Sequence, residues 1–250
     1  MPVLARSARA RAAARLRAHV AALLLCATLG APAATREIYF EPLGSERGLV
    51  QGSVGAITQD ALGFVWVGTQ GGLHRYDGQR YRVYRHDPND PASLPDSFVT
   101  ELAAGDGPAL WVGTFSRYVA RMDLRTGAIR RYDASAGDHR DDRQVVTMAA
   151  APDALWVGTV GGLDRLDPAS GRRTRVLDLP GRSGTRGQQL LRDRDGRIWY
   201  ATGAGLFRID GRDVRRVGTD APAWSLLQDR EGRLWVGGDR GLEQLRGDAR

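Results

Sequence analysis

An all-β chain of repeated four-stranded blades is predicted by three features of the sequence: a phrase recurring at a near-fixed period, a strand apolar on both faces, and turn dipeptides between strands. The phrase "GFVWVGTQGGLHRYDG" (63–78) returns as "ALWVGTFSRYVARMDLRTG" from Ala109, "ALWVGTVGGLDRLDPASG" from Ala154, "RIWYATGAGLFRIDG" from Arg197 and, shortened, "RLWVGGDRGLEQL" from Arg233. Its tryptophans, Trp66, Trp111, Trp156, Trp199 and Trp235, are 45, 45, 43 and 36 residues apart. A period of roughly 40–45 residues is that of one blade of a β-propeller.

Within the first copy, "SVGAITQD" reads as a first strand, "FVWVGT" as a second, "LHRYD" as a third and "RYRVYRH" as a fourth. Asp77-Gly78 and Asp210-Gly211 are dipeptides that tight hairpins favour, because a primed turn needs a positive φ that glycine tolerates. In the second strand Phe64 and Trp66 point to one face and Val65 and Val67 to the other, so both faces must be covered. A blade lying between two blades is covered in that way. The glycine after each Trp-Val pair removes bulk where neighbouring blades approach. Large rings stacked between blades, each burying roughly 150–250 Å², let the chain hold together by packing. Trp224, in the first strand of the fifth copy, stands outside the repeat. The five blades are expected at about 53–86, 98–133, 145–178, 188–218 and 224–250, the last incomplete.

Residues 1–33 have a separate meaning. Arg6, Arg9, Arg11, Arg15 and Arg17 precede the apolar run "VAALLLCATLG" and the small-residue site "APAA" (31–34), the pattern of a secretory signal peptide cleaved near Ala33. The run from Val20 to Leu29 is about half of what crosses a bilayer. Residues 34–250 then form the propeller region, located in the periplasm or secreted. The chain's net charge of +7 falls to +2 there, 31 Arg against 29 acids, so the basic balance gives little support to nucleic-acid binding. Cys26, the one cysteine, leaves with the signal, and with it any disulfide or thiol chemistry.

At Ser53 to Val99, "SVGAITQDALGFVWVGTQGGLHRYDGQRYRVYRHDPNDPASLPDSFV", the sequence resembles the first repeat of the two-component regulator propellers, the periplasmic sensor regions of bacterial hybrid histidine kinases and propeller-bearing diguanylate cyclases. The resemblance runs from about Arg36 to the C-terminus and rests on "QDALGFVWVGTQGGLHRYDG" together with the spacer "HDPNDPASL". It implies seven-bladed propellers, often paired, followed by an immunoglobulin-like domain, a transmembrane helix and a cytoplasmic output enzyme. Any membrane attachment would come through such later segments. Five repeats are readable here, and "REIYFEPL" (36–43) reads as a lone strand that could complete the last blade. A closed five-bladed ring and an open arc of an N-terminal fragment are both consistent with this count. The arc is expected, with an apolar blade face left for association, a second copy being one partner.

Several stretches imitate catalytic or metal motifs. "GGDRG" (237–241) begins like a diguanylate cyclase signature but occupies the place of "GTQGG" in the first copy. "HRDDRQ" (139–144) starts like a kinase catalytic loop, yet the Asn such a loop requires is replaced by Val146. "DRDG" (193–196) and "DREG" (229–232) suggest calcium but lack the further oxygens and late Glu of a calcium loop, and read as turns. The chain has no Lys, which removes a phosphate-loop lysine, a Schiff base and an ATP-anchoring lysine. His74, His86 and His139, the histidines beyond the signal, have no metal-ligand spacing, so neither metal nor cofactor is expected.

Two features are candidates for recognition. The connection "HDPNDPASLPDS" (86–97) is longer than a turn and contributes His86, Asp87, Asn89 and Asp90. Its alternative reading is a rigid linker with Asx turns. The span 172–197 holds eight Arg against three Asp, with Arg172, Arg173, Arg175, Arg182 and Arg186 as forks for an anionic glycan. Its alternative is an outer blade edge blunted by charge. The functional expectation is a non-catalytic sensing module that binds a small molecule or oligosaccharide. A secreted propeller lyase or glycosidase, with carboxylates assembled around the central channel, and a protein-interaction scaffold are the rivals.

Overall fold

A computed structural model of the chain describes residues 39–116, 118–133, 144–179, 187–211, 213–218 and 220–245. The signal segment and the loop "HRDDR" therefore lie outside the described residues. Among the described residues nineteen strands form five antiparallel sheets, each built from consecutive strands. Blade 1 is β1 (Val54–Gln59), β2 (Val65–Thr69), β3 (Gly72–Tyr76) and β4 (Tyr81–Tyr84). Blade 2 is β5 (Val99–Ala104), β6 (Ala109–Thr114), β7 (Tyr118–Asp123) and β8 (Ile129–Asp133). Blade 3 is β9 (Val145–Ala151), β10 (Ala154–Thr159), β11 (Gly162–Leu166) and β12 (Arg173–Asp178). Blade 4 is β13 (Gln189–Arg192), β14 (Ile198–Thr202), β15 (Gly205–Asp210) and β16 (Asp213–Val217). Blade 5 has three described strands, β17 (Ala223–Gln228), β18 (Leu234–Gly238) and β19 (Gly241–Leu245).

Each repeat tryptophan sits on the second strand of its blade, and Trp66, Trp111, Trp156 and Trp199 are buried. Trp235 is half-buried, because among the described residues no blade covers that side of β18. The cores lie between blades. Trp66 packs with Leu94, Val99, Leu102, Leu110 and Val112 of the next unit, and Trp111 with Val145, Met148 and Leu155. The glycine of the phrase is required by this approach: a Cβ on Gly68 would lie 2.6 Å from Val99 Cγ1 of blade 2, and one on Gly158 3.1 Å from Tyr200 Cε2 of blade 4.

The remaining letters of the phrase also have assignable work. Asp60 accepts the Trp66 indole N–H at 2.7 Å through Oδ2 and the N–H groups of Leu62 and Phe64 through Oδ1. Asp193 repeats this with Trp199, Asp195 and Arg197, and Asp229 with Trp235 and Arg233. The carboxylates of "DRDG" and "DREG" are thus turn-holding groups, consistent with the turn reading. The buried threonine ending the second strand staples the following tight turn: Thr69, Thr159 and Thr202 donate through Oγ1 to the carbonyls of Gly72, Gly162 and Gly205.

One expectation is corrected. Residues 39–43 form no strand, so the described part of "REIYFEPL" completes no blade. The three-stranded fifth sheet keeps its outer edge unpaired among the described residues. Residues 43–51 instead turn through a single 3₁₀ turn (Ser45–Arg47) and lie against blade 1, where Arg47 donates to the Tyr76 hydroxyl and the Val50 N–H to His74 Nε2. His74 is fully buried on β3, and burial lowers its pKa.

Candidate functional site

The connection 86–97 is rigid and anchored. The Asp87 carboxylate accepts the Asn89 N–H, that of Asp90 accepts the Ala92 N–H, and His86 Nδ1 lies 2.8 Å from the Leu94 carbonyl oxygen. Leu94 is fully buried in the core between blades 1 and 2. From β8, the Arg131 guanidinium donates to the carbonyls of Asp90, Ser93 and Leu94. His86, Asp87, Asn89 and Asp90 remain exposed on this frame, and the Asp87 and Asp90 carboxylates close Asx-type turns, the geometry of a linker.

The Arg-rich span divides into different roles. Arg173 and Arg175, on β12, both reach the buried Asp164 of β11: Arg173 Nη2 is 2.5 Å from Oδ2 and Arg175 Nε 2.5 Å from Oδ1. Arg175 also donates to the Gly161 carbonyl and Asp178. These two forks are turned into the blade and committed there, so they do not present a surface for an anionic glycan. Arg172 is exposed at the turn before β12, and Arg182 and Arg186 lie outside the described residues.

Two concave sites emerge that the sequence reading did not single out. A cleft of about 650 Å³ opens between blades 3 and 4 at their hairpin end. Its floor is Trp156, Ile198 and Ile209, and its walls carry Asp153, Asp195 and Asp210 with Arg165, Arg192 and Arg197. Arg165 pairs with Asp153 at 2.6 Å and Arg197 with Asp195 at 3.0 Å. Arg192 reaches past blade 3 to Asp106 in the β5–β6 hairpin, 2.9 Å from each carboxylate oxygen. Arg192 and Arg197 belong to the Arg-rich span of the sequence. Among the described residues no group of three His, Cys, Asp or Glu side chains is placed to hold a metal ion.

The second site, about 300 Å³, is lined by inner strands and includes Thr58, Glu101, Thr147, Gln189 and Arg192. Glu101, Thr147 and Gln189 occupy one register position, opposite the residue two places after the blade's tryptophan. Each accepts a backbone N–H from the inner strand of the next blade. Glu101 takes that of Met148, Thr147 Oγ1 that of Leu190 at 3.0 Å and Gln189 Oε1 that of Leu226 at 2.7 Å. An inner strand is a sheet edge with outward N–H groups, and the preceding blade's side chain satisfies one of them.

Burial pushes the Glu101 carboxyl up from 4.5 to about 7, against the lowering effect of the Met148 N–H. Between those values the folded chain holds a proton that the unfolded chain has released, so stability falls as pH rises through this window. Glu101→Gln keeps an acceptor oxygen, the one Gln189 already uses, and cannot ionise. This variant is expected to be more stable than the parent by up to about 3 kcal/mol above pH 7 and equal to it below pH 4.5. Chemical unfolding at both pH values checks this, and equal stability at high pH would refute the buried-acid assignment.

Residues 218–240, which hold β17 and β18, match the family model described as two component regulator propeller. Over 47 residues the chain is 47% identical to histidine kinase P4 of Formosa agariphila, a stretch covering 19% of this chain and 3% of that protein. Among solved structures, the extracellular domain assigned to the hybrid two component system BT3049 of B. thetaiotaomicron is similar with a TM-score of 0.66 at 24% identity, over 83% of this chain and 30% of that one. The corresponding domain assigned to BT4673 gives 0.50 at 20% identity, over 81% and 33%. The β-propeller domain of Cps50 (Swd1) of Myceliophteria thermophila gives 0.55 at 15% identity, over 78% and 65%. The chain thus spans about a third of the length of the two-component domains it matches and a far smaller part of the kinase. At these identities the structural likeness is one of fold, the β-propeller.

Proposed function

Because the chain carries two-component regulator propeller sequence, we propose that it is a ligand-sensing propeller module of a bacterial signal-transduction receptor, exported to the periplasm by residues 1–33 and without catalysis of its own. Ligand binding would change the placement of the propeller and so pass to a kinase or diguanylate cyclase output. The observation that carries the binding half is the cleft between blades 3 and 4. Its three aspartates and three arginines balance in charge, and two of those arginines are held by aspartates of the same wall. Fixed ion pairs around an apolar floor offer directed donors and acceptors without net charge, which suits a neutral oligosaccharide. An anionic glycan would need unpaired forks.

Calorimetric titration with neutral and anionic glycans at low and high salt tests this reading. Neutral glycans are expected to bind with little salt dependence, and Arg197→Ala to weaken binding at least tenfold. Binding confined to anionic glycans and abolished by salt would move the site to other arginines, since exposed charge contacts fade as the Debye length shrinks to about 3 Å at 1 M. Turnover of any glycan would overturn the non-catalytic reading. A glycosidase or lyase would draw on Glu101, the acid in the inner site with a raised pKa. That carboxylate is engaged by the Met148 N–H, and Gln189 performs the same task one blade further on without an acid, which favours a structural role. The propeller fold alone does not choose between sensor and scaffold.

A further inference from the structure

Three arginines line the cleft between blades 3 and 4, and one of them is held from outside it. Arg165 is tied to Asp153 and Arg197 to Asp195, each within its own blade. Arg192, at the end of β13, instead passes over blade 3 and meets Asp106 in the hairpin between β5 and β6 of blade 2. Its Nη1 makes both contacts, and neither Nε nor Nη2 has a hydrogen-bond partner among the described residues. Arg192 is also the residue that the cleft and the inner site share. The pair is open to water, its side chains being 29% and 54% exposed. An ion pair so exposed is weak, because water and salt compete for both groups, so its arginine can be exchanged to another acceptor at little cost. The arginines of the buried Asp164 cluster cannot be exchanged in this way.

We propose that Arg192 is the ligand-reading residue of the cleft, and that its transfer from Asp106 to the ligand is how occupancy is passed on to blade 2. This rests on the reading of the cleft as a site for a neutral oligosaccharide. With Arg165 and Arg197 already held by aspartates of the wall, Nε and Nη2 of Arg192 are the donors that a sugar hydroxyl or ring oxygen would take. Drawing the guanidinium onto the sugar breaks its contact with Asp106, and the hairpin 105–108 loses its tie to blade 4. The blades stay joined by the cores around Trp111 and Trp156, so the spacing of the inner hairpins at this rim changes while the fold does not. A ligand shifts an equilibrium only by its differential affinity for the two states, and here the states differ in whether Arg192 is held by Asp106. The tie therefore opposes binding, and a residue outside the cleft weakens the affinity of the cleft.

Calorimetric titration of the purified chain with the neutral hexasaccharides cellohexaose, maltohexaose and mannohexaose, paired with amide hydrogen exchange, tests this. Arg192→Ala is expected to weaken binding about tenfold, and Asp106→Ala to tighten it about two- to fivefold, the worth of an exposed ion pair. The opposite signs are diagnostic: a structural role for Asp106, or a direct contact with the sugar, would give a loss. In the Arg192→Ala background Asp106→Ala should add nothing. Without sugar, Asp106→Ala should speed exchange of the Gly105 and Ala109 amides, which close the hairpin, and saturation of the parent with sugar should do the same. Unchanged exchange in Asp106→Ala would overturn the tie, whatever binds. Sugar binding that Asp106→Ala leaves equal or weaker would overturn this proposal and leave the cleft reading standing. Binding of none of the three sugars would overturn both.

Discussion

Trp111→Ala is expected to lower stability by about 3–5 kcal/mol, and Trp235→Ala by distinctly less, although the two residues occupy the same position in the repeat. Trp111 is closed in on both sides. Its ring lies 5.4 Å from that of Tyr132, with the Arg121 guanidinium 5.9 Å from its centroid, in a core shared with Val145, Met148 and Leu155 of blade 3. Truncation leaves a void between two sheets that are fixed by their own hydrogen bonds and cannot collapse into it. Trp235 has the same indole bond to an aspartate as Trp66 and Trp199, but one side of its ring meets no following blade among the described residues. Water then fills the space left by truncation. Denaturant unfolding, with midpoint and slope compared across the variants, separates the two cases. Equal losses at the two positions would mean that the trailing face of blade 5 is covered.

How much of this was readable in advance depended on whether a role repeats with the same residue type. Trp66, Gly68 and their successors recur at the same place, so period alone placed them on second strands between blades. The aspartate six residues before Trp66, Trp199 and Trp235 was equally visible, but it reads as turn chemistry until the indole is seen to donate to it. Glu101, Thr147 and Gln189 were invisible, because an acid, a hydroxyl and an amide perform one task and share no pattern. The cleft between blades 3 and 4 was equally hidden, since its walls come from hairpins of different blades. "REIYFEPL" reads as a lone strand, but residues 39–43 form none. The Arg-rich span is a different case. Charge density is a local property, whereas the partner of Arg173 and Arg175 is set by strand register, which places Asp164 opposite Arg175.

That partnership leads to the second large effect. Asp164→Ala is expected to cost about 3–5 kcal/mol, because it strands two guanidiniums whose side chains are 8% and 12% exposed. Desolvation lowers the pKa of Arg173 and the Asp164 charge opposes that shift, but an arginine does not escape by releasing its proton at ordinary pH. It must be solvated or paired, and without Asp164 the strand β12 has to move outward to reach water. Arg175 retains Asp178 and the Gly161 carbonyl. Replacing all three charges together, Asp164→Ala with Arg173→Met and Arg175→Met, is expected to recover most of the loss, since an ion cluster exchanged for apolar groups is often near neutral in stability. The comparison also bears on function. If the triple variant is stable and still binds glycan, Arg173 and Arg175 serve the fold alone. If Asp164→Ala costs under about 1 kcal/mol, below even a modest buried pair, the two arginines are free to swing out, and they return as candidates for reading an anionic ligand.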